Sequence, residues 1–136
     1  MNPKNLNLKL VLLGAVAVLS AMASPALADS TKVELYRWGN ASSPKLDNIR
    51  PDELGTFQRG GQTWVEHDSG GISTYSSNRP GQKNVWRLPR GSSFPSRLHI
   101  VNDAGEHWLI EPAADMPMDE YLSLLRELQK RFEKLP

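Results

Sequence analysis

An apolar segment close to the N-terminus sets how much of this chain is available to form a folded domain. Leu10 to Ala23 is apolar apart from one serine; Lys4 and Lys9 precede it, and Ala26-Leu27-Ala28 follows it. A basic start, an apolar centre and small residues at a cleavage site are typical of a secretory signal peptide. The apolar run is shorter than the roughly 20 residues that cross a bilayer, so a retained membrane anchor is the weaker alternative. We therefore expect residues 1–28 to be removed and residues 29–136 to form a single domain.

The composition excludes several classes of protein. The chain contains no cysteine, so a disulfide framework, a thiol nucleophile and a thiolate zinc site are all excluded. The remaining 108 residues must be stabilised by packing alone, and a domain of this size can bury about two-thirds of its unfolded surface. Without Lys4 and Lys9, 14 basic residues face 15 acidic ones. This balance gives no strong indication of a nucleic-acid partner, which favours a clear excess of positive charge.

Short strand patterns separated by turn residues follow the expected cleavage site. Lys32 to Trp38 is rich in β-branched and aromatic residues and predicts a strand. One of its faces carries Val33, Leu35 and Arg37, and an apolar face that ends in an arginine is typical of a strand running from a core into a polar cleft. Gly39 to Gly61 predicts a loop. Further strands are predicted at Thr63–Val65, Ile72–Ser76 and Asn84–Leu88, with a turn at Asp68–Gly71.

The last third of the chain predicts a hairpin and a helix. Arg97–Asn102 and Glu106–Glu111 flank Asp103-Ala104-Gly105, which suits a three-residue turn. Pro117 to Glu133 predicts a helix, because proline suits the first helical position and acidic residues follow it. An apolar stripe along this helix should cover a sheet; its members are Tyr121, Leu124, Leu125, Leu128, Phe132 and Leu135.

Familiar catalytic and metal-binding motifs are absent from the sequence. No HExxH, Walker or GxSxG motif occurs. His67, His99 and His107 lack the close spacing of a helical metal site, so we predict no metal, although three histidines assembled by the fold remain an alternative.

Three short segments carry a resemblance to a known family: Leu35-Tyr36-Arg37-Trp38-Gly39-Asn40, Gly70-Gly71-Ile72-Ser73-Thr74-Tyr75 and Glu106-His107-Trp108-Leu109-Ile110-Glu111-Pro112. In these segments and in their order, the chain resembles small bacterial toxins with an ADP-ribosyltransferase-like fold, in particular those related to a toxin injected by type VI secretion. The resemblance runs from Leu35 to about Leu128 and includes the Met116/Met118 segment. It implies an α+β fold, in which small, mainly antiparallel sheets form a split β-sandwich with a C-terminal amphipathic helix.

The resemblance also implies NAD as a substrate, bound in a cleft between two sheets. Arg37 would be the family's strand arginine, and Ser73 and Thr74 would be its Ser-Thr pair. The third position is open between Glu111, which falls in the right segment, and His107, which the closer relatives share. The resulting catalytic candidates are Ser73, Thr74, His107 and Glu111, and the cofactor-binding candidates are Arg37, Tyr36, Gly71, Tyr75 and Trp108.

The chemistry of these residue types is compatible with NAD. An arginine fork binds phosphate oxygens directionally, and aromatic rings stack on nicotinamide. A carboxylate or a histidine serves a ribosyl transition state with oxocarbenium character. Each residue also has an ordinary structural interpretation, such as a paired strand-end arginine or a core tryptophan. The functional interpretation depends on the joint order of the motifs.

Two functions remain open at this point. The first is an exported toxin, periplasmic or secreted, that transfers ADP-ribose to an unknown macromolecular target or hydrolyses NAD, and that is neutralised by a cognate immunity protein. The second is a non-catalytic exported module of the same fold that binds a peptide or glycan. Convergence of Arg37, Ser73 and His107 on one pocket would favour the enzyme. The signal peptide is at odds with type VI delivery, which requires none.

Overall fold

The computed structural model describes residues 27–136, which form eleven short strands and one helix. The expected signal peptide lies outside the described residues, except for its last two positions. The strands are β1 (Leu27–Ser30), β2 (Leu35–Trp38), β3 (Thr56–Arg59), β4 (Gln62–Val65), β5 (Ile72–Tyr75), β6 (Val85–Leu88), β7 (Ser93–Pro95), β8 (Leu98–Ala104), β9 (His107–Pro112), β10 (Met116–Pro117) and β11 (Glu133–Lys134), and the helix is α1 (Met118–Gln129).

The strands of the described region form three antiparallel sheets. The largest has six strands in the order β11-β6-β2-β5-β9-β8, the second has the order β10-β4-β3, and the third pairs β1 with β7. Every strand pair is antiparallel. Residues 27–136 are thus α+β, with small antiparallel sheets and one helix, as the sequence predicts. No helix within residues 27–136 is long and apolar enough to cross a membrane.

Helix α1 buries its apolar stripe in the core of the domain. Pro117 precedes the helix, and Asp119 and Glu120 occupy its first turn, where acidic side chains suit the helix dipole. The helix ends at Gln129, four residues earlier than predicted, because the chain tightens into i→i+3 hydrogen bonds and then joins the large sheet as β11. The stripe residues within the helix share one core cluster with Phe132, beyond its end, and with the inward side of the large sheet: Tyr121, Leu124, Leu125 and Leu128 with Leu35, Ile72, Leu88 and Ile110. Leu135, the last predicted member of the stripe, lies beyond the helix and is only half-buried.

The segment predicted to be a loop, Gly39 to Gly61, contains a strand, so the prediction was wrong there. Strand β3 pairs with β4 across Gly60-Gly61, whose φ angles are 58° and 75°. Two consecutive positive φ angles fit the twist of a two-residue hairpin, and glycine adopts them without strain. The strand escaped prediction because three of its four residues are exposed and show no apolar alternation. Strands β1, β7, β10 and β11 were also not predicted, since two to four residues are too few for a periodic pattern.

Strands β2 and β5 are neighbours in the large sheet, but they pair at a single position. Tyr36 lies opposite Tyr75, whereas β2 pairs with β6 at four positions and β5 pairs with β9 at four positions. Beyond the single pair the two strands separate. This separation opens the centre of the largest sheet beside the end of β2.

Candidate active site

A pocket of about 440 Å³ lies where β2 and β5 separate. Its volume is within the usual range of small-molecule sites. Two arginines and one lysine contribute to its wall, and none of the described residues that line it is acidic. The pocket therefore favours an anionic ligand. Its lining residues are Arg37, Trp38, Gly39, Asn40, Lys45, Asn48, Arg50, Ser73 and Tyr75.

Arg37 spans the gap between the two strands. Its Nη1 donates a hydrogen bond to the carbonyl oxygen of Ser73 at 2.7 Å. Its Nε and Nη2 donate to the carbonyl oxygens of Pro44 and Lys45, each at 3.0 Å. Burial lowers the pKa of the guanidinium, and the nearby Glu53 carboxylate opposes this shift. An arginine remains charged in either case, so Arg37 on β2 places a positive charge at the wall of the pocket.

A row of aromatic rings runs from the pocket toward β9. The rings of Trp38 and Tyr75 lie 4.8 Å apart, and those of Tyr75 and His107 lie 5.3 Å apart. The guanidinium of Arg79 lies 5.5 Å from the Trp38 ring centre and 4.8 Å from that of Tyr75. The faces of these two rings therefore already attract a cation.

Ser73 shares one face of the large sheet with Tyr75, His107 and Glu111. Tyr75 lies opposite His107, and Ser73 lies opposite Leu109. Because alternate residues of a strand point to the same side, His107 and Glu111 flank Ser73 diagonally. Such diagonal positions have a separation of about 7–8 Å. The sheet thus brings three catalytic candidates to one face beside the pocket, although His107 and Glu111 do not line the pocket itself.

Glu111 lies in an environment that favours its protonated form. It pairs across the strands with His99. Burial, followed by the negative charge of Asp68, raises the pKa of its carboxyl group, while His99 and His67 act in the opposite direction. A carboxyl group with a raised pKa is a candidate general acid or base.

His107 is held by a carboxylate four residues before it. Its Nδ1 lies 2.6 Å from Oδ1 of Asp103. An ionised carboxylate can only accept, so this contact requires a proton on Nδ1. In the neutral ring, Nε2 is then left as the acceptor. The side chain is 29% exposed, so the ring is open in part to a ligand on the sheet face.

Thr74 and Trp108 face the other side of the sheet, and this corrects the expectation that both face the cleft. The two residues lie opposite each other in the pairing of β5 with β9. Thr74 is fully buried, and its hydroxyl donates to the Trp108 carbonyl oxygen at 3.1 Å. Trp108 packs against the hydrophobic core. The alternation of β5 separates Thr74 from Ser73.

Tyr36 and Gly71, two further candidates, do not line the pocket. The hydroxyl of Tyr36 donates to Oε2 of Glu34 at 2.7 Å, and this hydrogen bond raises the pKa of the phenol. Gly71 is buried, and a Cβ there would collide with the Ile110 carbonyl on β9. In the described structure, Gly71 lets two strands approach closely, rather than forming a wall of the pocket.

Sequence reasoning missed the loop residues of the pocket, namely Asn40, Lys45, Asn48 and Arg50. One local signal was present. Oδ1 of Asn40 accepts hydrogen bonds from the backbone N–H groups of Ser42 and Ser43, both at 2.9 Å, which is the turn that an Asn-x-Ser-Ser stretch favours. Such a turn reverses the chain after β2, but it gives no information about which later side chain reaches the pocket.

The family to which the chain belongs follows from comparison with known proteins. Among the described residues, no group of three histidine, aspartate or glutamate side chains could hold a metal ion. No curated protein matches the chain. The family model described as Tse2 ADP-ribosyltransferase toxin matches residues 32–135, which include every strand from β2 to β11 and the helix. The chain therefore belongs to the Tse2 ADP-ribosyltransferase toxin family.

Proposed function

We propose that the pocket and the adjoining face of β5 and β9 bind NAD and transfer its ADP-ribose group to a macromolecule or to water. The observation that carries this proposal is the convergence of Arg37 and Ser73, 36 residues apart, on one basic pocket. A pyrophosphate dianion suits a wall to which residues 27–136 contribute three cationic side chains and no acidic one. Family membership supports a toxin with this type of enzyme activity.

The nicotinamide end of NAD lies against the aromatic row in this proposal. The nicotinamide ring of NAD is positively charged, and Trp38 and Tyr75 already hold the Arg79 cation against their faces. Displacement of Arg79 by the ring would retain the cation–π attraction. The ribose that follows would then lie beside Ser73, whose hydroxyl can donate to it or accept from it.

The reaction breaks the bond between nicotinamide and ribose C1′, and the bonding electrons leave with neutral nicotinamide. Positive charge develops on the ribose, as in glycoside hydrolysis. Glu111 in its ionised form stabilises this charge or holds a ribose hydroxyl. The attacking group, a water molecule or a nucleophile of the target, forms the new bond to C1′. Nε2 of His107 accepts its proton, because Asp103 fixes the opposite nitrogen in the protonated state.

The finer description of the fold is part of the same proposal. The six-stranded and three-stranded sheets would form the two halves of a split β-sandwich, with α1 against their inner sides. The separation of β2 from β5 lies within the six-stranded sheet, so it would be an opening in one half of the sandwich, and this opening would admit the substrate.

The proposal includes export and two protein partners. Cleavage after Ala28 would place the N-terminus at Asp29, inside the segment that forms β1. The processed protein would act in the periplasm or outside the cell, on a macromolecular target, and a cognate immunity protein would cover the pocket in the producing cell. Mass spectrometry of exported protein should find Asp29 at the N-terminus, and a product that retains Met1 would contradict the signal peptide.

A second candidate function is a non-catalytic binding module on the same fold, for a peptide or a glycan. One observation favours it. None of the described residues that line the pocket is acidic, and Glu111 and His107 both lie outside this lining, so Arg37 and Ser73 meet the convergence expected of an enzyme but His107 does not. A carboxylate that does not reach the ribose would leave a pocket that binds but does not catalyse.

The deciding experiment incubates purified protein with adenylate-labelled NAD, with and without a cell lysate. We expect release of nicotinamide, labelled protein in the presence of lysate, and a rise in melting temperature with NAD. Ser73→Ala should reduce turnover more than binding. Ser123→Ala, at an exposed serine of α1, is the matched control and should change neither. If neither nicotinamide release nor a thermal shift occurs, the binding module is the better description.

A further inference from the structure

The three cationic side chains of the pocket differ in how far they are already engaged. Arg37 uses three of its five N–H groups on backbone carbonyls. Arg50 is paired with the Glu53 carboxylate through Nη2 at 3.0 Å and Nε at 3.2 Å. Lys45 takes part in none of the ion pairs found within residues 27–136. Lys45 therefore has the most charge left for a ligand.

The backbone around Lys45 is fixed from two sides. On one side, the Arg37 guanidinium binds the carbonyl oxygens of Pro44 and Lys45. On the other side, helix α1 holds the next residue, Leu46, whose backbone N–H donates a hydrogen bond to Oε1 of Gln129 at 2.7 Å. The Lys45 N–H also donates to Oγ of Ser43 at 2.9 Å. A side chain on such a clamped segment is preorganised for binding.

The neighbours of Lys45 determine where its side chain points. Pro44 is buried, and Leu46 is fully buried in the hydrophobic core. Lys45 lies between them in the left-handed region with φ of 59°, and it is exposed and lines the pocket. An L-residue other than glycine rarely adopts this conformation, and the surrounding structure must impose it. The backbone thus directs the lysine out of the core and into the pocket.

We propose that Lys45 supplies the main contact to the phosphate groups of the ligand, and that Arg37 is a positioning residue that holds Lys45 in place. The inference rests on the proposed function where the ligand is NAD. The role of Lys45 itself requires only that the ligand contains a diphosphate group. The two available N–H groups of Arg37 and the outer side of Arg50 add weaker contacts. This division of roles differs from the direct phosphate contact that the chemistry of an arginine fork suggested for Arg37.

The test measures the affinity of the full chain for three probes: NAD, inorganic pyrophosphate and adenosine, which lacks phosphate. Lys45→Gln removes the charge but keeps an unbranched polar side chain that is only slightly shorter. We expect it to weaken binding of NAD and pyrophosphate about tenfold, the usual effect of one charge-assisted hydrogen bond. Adenosine binding and the melting temperature should not change. Lys45→Arg should largely restore affinity, and Lys134→Gln, at an exposed lysine of β11, should have no effect.

A double-mutant cycle tests the role of Arg37. If Arg37 acts mainly through Lys45, then Arg37→Lys should cause little further loss once Lys45→Gln has removed the lysine charge, so the double variant should bind pyrophosphate almost as tightly as Lys45→Gln alone. Fully additive losses would show that Arg37 contributes independently of Lys45 and would overturn the positioning role. Unchanged NAD affinity of Lys45→Gln would overturn the inference while leaving the proposed function intact. Pyrophosphate binding that depends on Lys45, without any NAD binding, would support the role of Lys45 and overturn the proposed function. If neither NAD nor pyrophosphate binds, both the inference and the proposed function are refuted.

Discussion

Thr74→Val separates the structural role of this residue from the catalytic role that its motif implies. Valine has the same shape and suits a strand. The substitution removes the hydroxyl that donates to the Trp108 carbonyl at 3.1 Å in a fully buried position. A typical internal hydrogen bond contributes about 1 kcal/mol to stability. In a domain of this size, that loss should lower the melting temperature by about 4 °C. Turnover of NAD should stay within about twofold of wild type, because Thr74 faces the core.

For the adjacent residue, Ser73, we expect the opposite pattern, in which substitution affects activity and leaves stability unchanged. Ser73→Ala should leave the melting temperature within about 1 °C of wild type, since the contact it makes with Arg37 uses its backbone carbonyl. It should lower the rate of nicotinamide release. Thermal melts and nicotinamide release, measured on both variants, check the pair of outcomes. A Thr74→Val protein that melts like wild type but has lost its activity would refute the assignment of Thr74 to the core.

Three further predictions concern the core and the pH dependence. Leu128→Ala, at a fully buried position of α1, should lower the free energy of unfolding measured by urea titration by about 2–5 kcal/mol. Leu122→Ala, at a half-buried position of the same helix, should lower it much less, and equal losses would contradict the packing of the helix. Tyr121→Phe removes the hydroxyl that donates to the Ile110 carbonyl at 2.6 Å and should cost about 1–2 kcal/mol by the same titration; an unchanged midpoint would show that the hydrogen bond contributes nothing. The pKa of Glu111 is raised in the folded state, so the carboxyl group contributes favourably to folding stability at low pH, and this contribution is lost as the pH rises through that pKa. Glu111→Gln should therefore have a higher melting temperature than wild type at neutral pH, but not below the ordinary glutamate pKa of about 4.3. A melting temperature that is raised only at the lower pH would contradict the burial of the carboxyl group.

The elements that carry a local pattern could be predicted from the sequence. The stripe of α1 was predictable because residues three and four apart share one face of a helix, and Tyr121, Leu124, Leu125 and Leu128 are all buried. The opposite faces of β5 were predictable in principle, because Ser73 and Thr74 are adjacent in a strand and must point to opposite sides. Placing both in one cleft ignored this alternation. The exposed strand β3 could have been identified only from its Gly60-Gly61 turn.

Fold class and family could be inferred from the sequence alone. The sequence also selected Ser73, Tyr75, His107 and Glu111, which reach the sheet face beside the pocket, but together with Thr74 and Trp108, which do not. These inferences depend on periodicity and on motif order, which are properties of neighbouring residues. The tertiary structure was needed to show that β2 and β5 separate beyond the Tyr36–Tyr75 pair, and that a loop clamped by Arg37 and Gln129 brings Lys45 to the gap. Both depend on hydrogen bonds between residues that are distant in the chain. No local pattern encodes such contacts, because their geometry exists only once the sheets and the helix have packed together.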